Sequence, residues 1–474
     1  MKYDYRHPHG IGEVFETHNP ARPAESVGAY TEVGDAAEVD TMLTSASLAQ
    51  KEWADVPAVS RGDRLLAFLD DVVANVEYLA EAITLEQGKP LAEARNEILK
   101  GCAEGKFMAG EASRQQLQST AAARPRVRNL ILRRPRGNLL AICPWNFPVM
   151  TPLRKLCPAI AFGNSLVVKP SQFTPAAAFL LTEISERHFP AGLVQVMPCR
   201  GAFASELVAD GRFDGVSFTG SVTIGRKVAQ AAAASLIPAQ LELGGKNGVI
   251  INDSQDLESC LDQVFAAAFQ TGGQRCTSLS RVIVKRDLHE SVIEGLAARA
   301  RQLTLGDGLN QKTSLGPLCN REHFNSVKEA TSRALAEGAT LITGGNIATV
   351  KECEGGYFYQ PTVLDNAGMS QTASQEEIFG PVLSVLPYDS FDEALSLLNE
   401  TEYGLSSSFF SDSHSLIQRF LDESKHGMLH VNNGTVPDVN MPFGGIKKSG
   451  LGAFSVGASA SAFYTNEQSA YLAW

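Results

Sequence analysis

Apolar and polar positions follow two different periods along this chain. Within residues 35–115 apolar residues recur at spacings of three and four, as in Leu65, Leu66, Phe68, Leu69, Val72, Val73, Val76, Leu79, Ala80 and Ile83. That spacing predicts amphipathic helices. From Asn138 the pattern changes to short apolar runs: NLLAI (138–142), SLVVK (165–169), LVQVM (193–197), GVSF (215–218) and AQLEL (239–243). Helical stretches of roughly 8 to 15 residues separate them, the length that a crossover between parallel strands requires. The repetition predicts a doubly wound α/β sheet, a fold that holds a nucleotide at the carboxyl ends of its strands. A second α/β region is expected from about 245 to 445, with strands such as GVIIN and SRVIVK. Between the helices and the first strand lies the basic, proline-containing stretch AAARPRVRNLILRRPRG, with the apolar patch NLIL inside it. It is too short to build a core and is expected to form a hairpin crossing to another element or subunit. The final FYTNEQSAYLAW has strand composition and is expected to extend a sheet.

Composition narrows the classes. At 474 residues, two to three domains are expected from roughly 150 residues per domain. Apolar residues at 44% and charged residues at 20% argue against a disordered or fibrous chain. The net charge of −11 argues against nucleic-acid and membrane-surface partners, because it repels phosphate and anionic lipid. No apolar run approaches the roughly 18 residues of a membrane span, and MKYDYRHPHG carries no signal-peptide core. The eight cysteines (Cys102, Cys143, Cys157, Cys199, Cys260, Cys276, Cys319 and Cys353) contain no C-x-x-C pair. They read as free thiols in a reducing cytoplasm, with no metal site.

Several short stretches carry candidate chemistry, each with a plainer alternative. In GVSFTGSVTIGRKVA a strand ends at Gly220-Ser221 before a helix. Its free N–H groups and positive dipole would suit a phosphate; otherwise it is a tight β–α turn with a serine cap. Lys169 in VVKPS could reach a ribose or phosphate, or be an ordinary solvated lysine. Cys276 in TGGQRCTS follows two glycines that allow close backbone approach, and Arg275 beside it could favour a thiolate nucleophile. Its alternative is a small buried hydrophobe. Glu242 in LELGGKN ends an apolar strand, where burial should raise its pKa toward that of a general base; otherwise it is a salt-bridged acid. Asn146 in CPWNFP is held between two prolines and suits an oxyanion donor or a turn.

Together PWNFP, VVKPS, FTGS, LELGGKN, GQRC, EEIFGPV and MPFGGIKKSG resemble the aldehyde dehydrogenase superfamily in order and spacing, over essentially the whole chain. The resemblance implies an α/β fold with a Rossmann-like nucleotide-binding domain (1–117 and 137–243), an α/β catalytic domain (244–445) and a small β oligomerisation arm (118–136 and 446–474). It implies Cys276 as nucleophile, Glu242 as general base, and Asn146 with the Cys276 backbone N–H as oxyanion donors. Lys169 and Gln172 would meet the adenosine ribose, with Ser171 between them among the cofactor-binding residues, Gly220 and Ser221 the pyrophosphate, and Glu377 the nicotinamide ribose. Phe379, Trp145 and Leu243 complete the expected cofactor contacts. The implied chemistry is aldehyde capture as a thiohemiacetal, hydride loss to NAD or NADP, and hydrolysis of a thioester, in a homodimer or homotetramer.

Substrate and cofactor preference rest on finer features. Arg154 in NFPVMTPLRK stands where succinate-semialdehyde dehydrogenases carry an arginine in a similar stretch. With Arg275 it is expected to hold a distal carboxylate, arginine being suited by its planar fork; the alternative is pairing with a structural acid. Phe443 is expected beside the substrate. HVNNGTVPDVNMPFGG and GGQRCTS look more like α-ketoglutarate-semialdehyde dehydrogenases, which places that substrate ahead of succinate semialdehyde or a broad range of aldehydes. A CoA-acylating enzyme would lack the base at Glu242, and a non-catalytic binding protein would tolerate loss of Cys276. Gln172 stands where the superfamily commonly has a ribose-binding Glu. An amide does not repel a 2′-phosphate, so NADP is expected to be accepted and slightly favoured over NAD.

Overall fold

The helical stretch near the N-terminus divides into four helices: α1 (Ala36–Asp55), α2 (Ala58–Ala74), α3 (Val76–Gln87) and α4 (Leu91–Arg114). The computed structural model describes residues 1–6, 12–114, 118–253, 256–366 and 370–474. Residues 7–10 of the opening stretch, and residue 117 at the expected end of the first segment, lie outside them. The apolar stripe runs over two helices rather than one, with Asn75 between them. Leu65, Phe68, Leu69 and Val72 are fully buried, each contributing roughly 1.5–3 kcal/mol relative to exposure. Leu66 faces outward at 38% exposure, off the stripe. Ahead of the helices, β1 (Tyr3–Tyr5), β2 (Val14–Asn19) and β3 (Arg22–Thr31) form a small sheet in the order β1-β3-β2, which the sequence pattern did not reveal.

After β4 (Gln118–Thr120) and β5 (Val127–Pro135), the predicted strand–crossover series follows in full. It comprises β6 (Asn138–Ile142), α5 (Met150–Ala161), β7 (Ser165–Lys169), α6 (Ala176–Ser185), β8 (Val194–Val196), α7 (Gly201–Ala209), β9 (Gly215–Thr219), α8 (Val222–Ala234) and β10 (Ala239–Glu242). β6 to β10 are parallel, in the order β10-β9-β6-β7-β8. Helices cover both faces, which is why β6 and β7 read as unbroken apolar runs.

The second sheet has seven strands and receives its first, β11 (Asn247–Ile251), directly from the LELGGKN turn. Its next strand, β12 (Leu279–Lys285), runs parallel to β11 and begins three residues after Cys276. The helices Leu257–Phe269, before that strand, and Arg321–Ala336, after it, flank the sheet. A further three-stranded sheet joins the C-terminal strand to β5 and β4. The C-terminal strand Thr465–Ala473 pairs antiparallel with β5 from Thr465↔Pro135 to Ala473↔Val127. Within residues 446–474, Gly450–Leu451 pairs antiparallel with β10, so this segment contributes to two sheets. Among the described residues no helix is long and apolar enough to cross a membrane.

Candidate active site

The carboxyl ends of β6, β7, β9 and β10 lie side by side because the strands are parallel neighbours, and each delivers one of the sequence motifs. Asn146, in the loop between β6 and α5, is buried, with Nδ2 donating to the Gln274 carbonyl at 2.9 Å. Its own carbonyl accepts from Lys89 Nζ at 2.6 Å. Lys89 is paired in turn with Glu97 of α4 at 2.6 Å, both fully buried. Glu97 Oε1 accepts the N–H groups of Val149 and Met150 at the start of α5, a favourable place for a carboxylate at a helix N-terminus. The PWNFP loop is thus fastened at Asn146 by Lys89 and just beyond its end by Glu97 of α4.

Cys276 sits on a loop whose backbone is left-handed at three consecutive residues, Thr271 (φ 56°), Gly272 (64°) and Gly273 (71°). A Cβ on Gly273 would fall 2.1 Å from the carbonyl oxygen of Gly380, so only glycine lets this loop dock on EEIFGPV. The Cys276 carbonyl accepts from Asn247 Nδ2 at 2.7 Å. A similar close approach explains Gly244, where a Cβ would fall 2.0 Å from Glu377 Oε2; the neighbouring Gly245 N–H donates to Glu377 Oε1 at 2.9 Å. The motifs around residues 146, 242, 276 and 377 therefore meet through contacts in which at least one partner is backbone.

They enclose a cavity of about 590 Å³. Cys276, Asn146, Glu242 and Glu377 line it, as do Trp145, Gly220, Ser221, Leu243 and Phe379. Arg154, Arg275 and Phe443 share the same space. Cys276 is the one half-exposed cysteine; the other seven are buried, in keeping with their packing role. Lys169, Ser171 and Gln172 lie beyond this cavity after β7. Lys169 is buried with Nζ on the Pro170 carbonyl, Ser171 Oγ accepts from Phe173 N–H, and Gln172 is exposed. Ser221 caps α8, its Oγ accepting from Ile224 N–H at 3.4 Å, so the plainer turn reading is realised and the helix N-terminus still opens on the cavity.

Burial dominates the electrostatics. It pushes Glu242 up to about 8, against the lowering influence of Lys155 and Arg154, as expected for a candidate base. One oxygen of Glu242, Oε2, is buried without a partner among the described residues. Burial also pushes the Cys276 thiol up to about 11; Arg154 opposes this most and Arg275 least. Arg275 therefore acts in favour of the thiolate, though less than Arg154 does. Its side chain donates to Gln270 Oε1 (2.7 Å) and Thr277 Oγ1 (3.3 Å).

Arg154 departs from expectation. Its Nε and Nη2 grip both oxygens of Glu104 at 2.9 and 2.8 Å, and its guanidinium lies 4.0 Å from the ring centre of Phe443. The fork that was to hold a substrate carboxylate is occupied by a carboxylate of the protein, the structural-acid alternative.

Several cavity residues escaped the sequence reading, among them His323, Glu97 and Lys100. His323, kept neutral by burial at about 4, donates from Nε2 to the Phe379 carbonyl at 2.8 Å, since that oxygen can only accept. It also packs on Trp145 and Phe379, whose rings form a T-shaped pair. Glu97 and Lys100 belong to α4, where Glu93, Asn96, Glu97 and Lys100 all face the cavity. Their three- and four-residue spacing is a polar stripe, the counterpart of the apolar stripes that were read.

The residues fit a nicotinamide dinucleotide. A helix N-terminus, the aromatic pair Trp145–Phe379 and the half-buried Glu377 carboxylate face one cavity that also reaches Cys276. Among the described residues no cluster of His, Cys, Asp or Glu could hold a metal ion.

Known proteins agree with this architecture. The family model described as "Aldehyde dehydrogenase family" matches residues 5–470. The chain is 34% identical over 459 residues to the alpha-ketoglutaric semialdehyde dehydrogenase of Bacillus subtilis, covering 96% of this chain and 93% of that protein. Betaine aldehyde dehydrogenase of Staphylococcus aureus, crystallised with NAD+, superposes with a TM-score of 0.93 at 30% identity, covering 97% of this chain and 94% of that one. For 3,6-anhydro-L-galactose dehydrogenase in complex with NADP the TM-score is 0.94 at 30% identity, covering 99% and 100%. The chain belongs to the aldehyde dehydrogenase family, oxidoreductases that act on the aldehyde group.

Proposed function

We propose that this enzyme oxidises the ω-semialdehyde of a carboxylic acid to the dicarboxylate, α-ketoglutarate semialdehyde ahead of succinate semialdehyde. The observation that carries the reading is one cavity uniting Cys276, Asn146 and Glu242 with Arg275, a cation whose hydrogen-bond partners are all neutral. The name of the Bacillus subtilis relative supports the same substrate class.

Cys276 attacks the aldehyde carbon as thiolate, its proton passing to a base within the cavity. The new oxyanion accepts from the second Nδ2 hydrogen of Asn146, the first being held by Gln274, and from the Cys276 backbone N–H. Bound NAD or NADP supplies the hydride acceptor. Loss of hydride from the tetrahedral carbon leaves a thioester on Cys276. Glu242, ionised above about pH 8, then takes a proton from water as it attacks the thioester, and the carboxylic acid leaves the restored thiol. Trp145, Leu243 and Phe379 shield the nicotinamide end from bulk water, Glu377 holds its ribose, and Ser221 with Gly220 receives the pyrophosphate. Gln172 carries no charge to repel a 2′-phosphate, which supports acceptance of NADP. The arm strands around β5 provide an edge for a homodimer or homotetramer.

A panel of C4–C6 aldehydes with and without a terminal carboxylate, assayed with NAD, NADP and CoA, tests the reading. It predicts free acid as product and higher kcat/KM for the acids. Acyl-CoA as product, or no preference for the acids, would overturn it.

A further inference from the structure

We propose that Lys100 is the cation that fixes the distal carboxylate of the substrate, working with Arg275 in place of Arg154. The inference rests on the reading that the substrate carries a carboxylate. Three cations line the cavity: Lys100, Arg154 and Arg275. Arg154 is committed twice over, to Glu104 through two hydrogen bonds and to the face of Phe443. Its charge is balanced by Glu104 and its hydrogen-bonding fork is filled, so a second carboxylate would meet a neutral pair.

Lys100 stands one turn before Glu104 on α4, half-buried, and its ammonium makes no hydrogen bond or ion pair among the described residues. The charges that face it are Glu104 and Asp438 of one sign and Arg275 and Arg154 of the other. Glu104 is already neutralised, and Asp438 is exposed. Glu93, the acid nearest Arg275, has Oε2 engaged by the Thr271 N–H. Glu93 therefore offsets charge at Arg275 rather than at Lys100, whose ammonium keeps its donors to spare. A partly buried ammonium without a partner loses hydration and gains nothing in return; an incoming carboxylate restores its hydrogen bonds as charge-assisted ones.

The test uses wild type, Lys100→Met, Lys100→Arg and Arg154→Ala with a semialdehyde acid and a neutral aldehyde of equal length. The wild-type ratio of kcat/KM, acid over neutral, is measured first; a ratio near one removes the carboxylated substrate, and Lys100 with it. Given a wild-type preference, Lys100→Met should lower the ratio about tenfold or more, the factor of a charged hydrogen bond. The loss should appear in KM for the acid, and Lys100→Arg should restore most of it, which a purely structural role would not do. Inhibition by glutarate provides a readout without turnover: its inhibition constant should rise by a similar factor in Lys100→Met. A ratio and glutarate affinity that stay within twofold of wild type in Lys100→Met, while the wild type prefers the acid, would overturn the proposal.

Discussion

Around Cys276 the cavity walls are loops held by contacts to backbone, whereas around Arg154 they are two helices and a loop that meet through charged side chains. At the first end, Gly273 lies against the Gly380 carbonyl and Gly244 against Glu377, leaving no room for a Cβ. At the second, α4 contributes Lys100 and Glu104 while Arg154 of α5 bridges Glu104 and Phe443. The first design fixes reacting atoms to within the tolerance that catalysis needs. The second sets a charge pattern that a single substitution can redraw. Chemistry and substrate choice thus occupy one cavity but answer to different kinds of change.

The largest effect should come from the backbone-built end. Cys276→Ser is expected to lower kcat by more than about 10³-fold, since a hydroxyl is far less ionised than a thiol, while NADP binding by fluorescence titration stays close to wild type. Substantial turnover in that variant would remove Cys276 from the mechanism. Glu242→Gln should release one burst of NAD(P)H per site and then stall, with steady-state turnover down about 10²–10⁴-fold. The pH profile sharpens this. Burial raises Glu242 to about 8, so its base form is the minor one below that pH. Wild-type hydrolysis of the thioester should therefore rise about tenfold per pH unit up to pH 8 and level off above. The Gln variant should show no such rise; the same profile in both would assign the base elsewhere.

At the charge-built end the expected damage is to stability. Arg154→Ala strands Glu104, whose side chain is only 3% exposed, and removing one partner of a buried pair costs about 3–5 kcal/mol. Urea unfolding should register that loss, with acid and neutral aldehydes affected alike. The double variant Arg154→Met with Glu104→Leu should recover much of it, because apolar replacement of a buried pair is often neutral. A selective loss of the acid substrate in Arg154→Ala would return Arg154 to the carboxylate.

The same contrast governs what the sequence could disclose. β6, β7 and β9 were legible because strands covered on both faces become continuous apolar runs. The candidate nucleophile, base and oxyanion donor were legible because tight backbone docking leaves glycines and prolines beside them. The β1–β3 sheet was not, since β2 is mostly outward-facing and its pairing with β3 slips register twice. Nor was the partner of Arg154. Glu104 lies 50 residues away on another helix, and no local pattern states which acid an arginine meets. Lys100 and His323 were missed for a related reason: their setting is a cavity that exists only once α4 and the helix Arg321–Ala336 are packed around it.

The smallest effect belongs to the adenosine end, which neither design governs. Gln172 is exposed on the loop after β7, near a Lys169 whose ammonium is already on the Pro170 carbonyl. Gln172→Glu places a negative charge where the 2′-phosphate of NADP would lie. Two such charges about 4 Å apart cost about 1 kcal/mol in water, or roughly fivefold in binding. Exposure means that salt will erode the penalty, with a Debye length of about 8 Å at physiological ionic strength. The kcat/KM ratio of NADP over NAD should therefore fall about fivefold at low salt and recover partly as salt is added. NAD should gain if the new carboxylate reaches the ribose hydroxyls, which a lower KM for NAD would register. A ratio unmoved at low salt would mean that residue 172 stands away from the ribose, and that the cofactor preference is set by other residues.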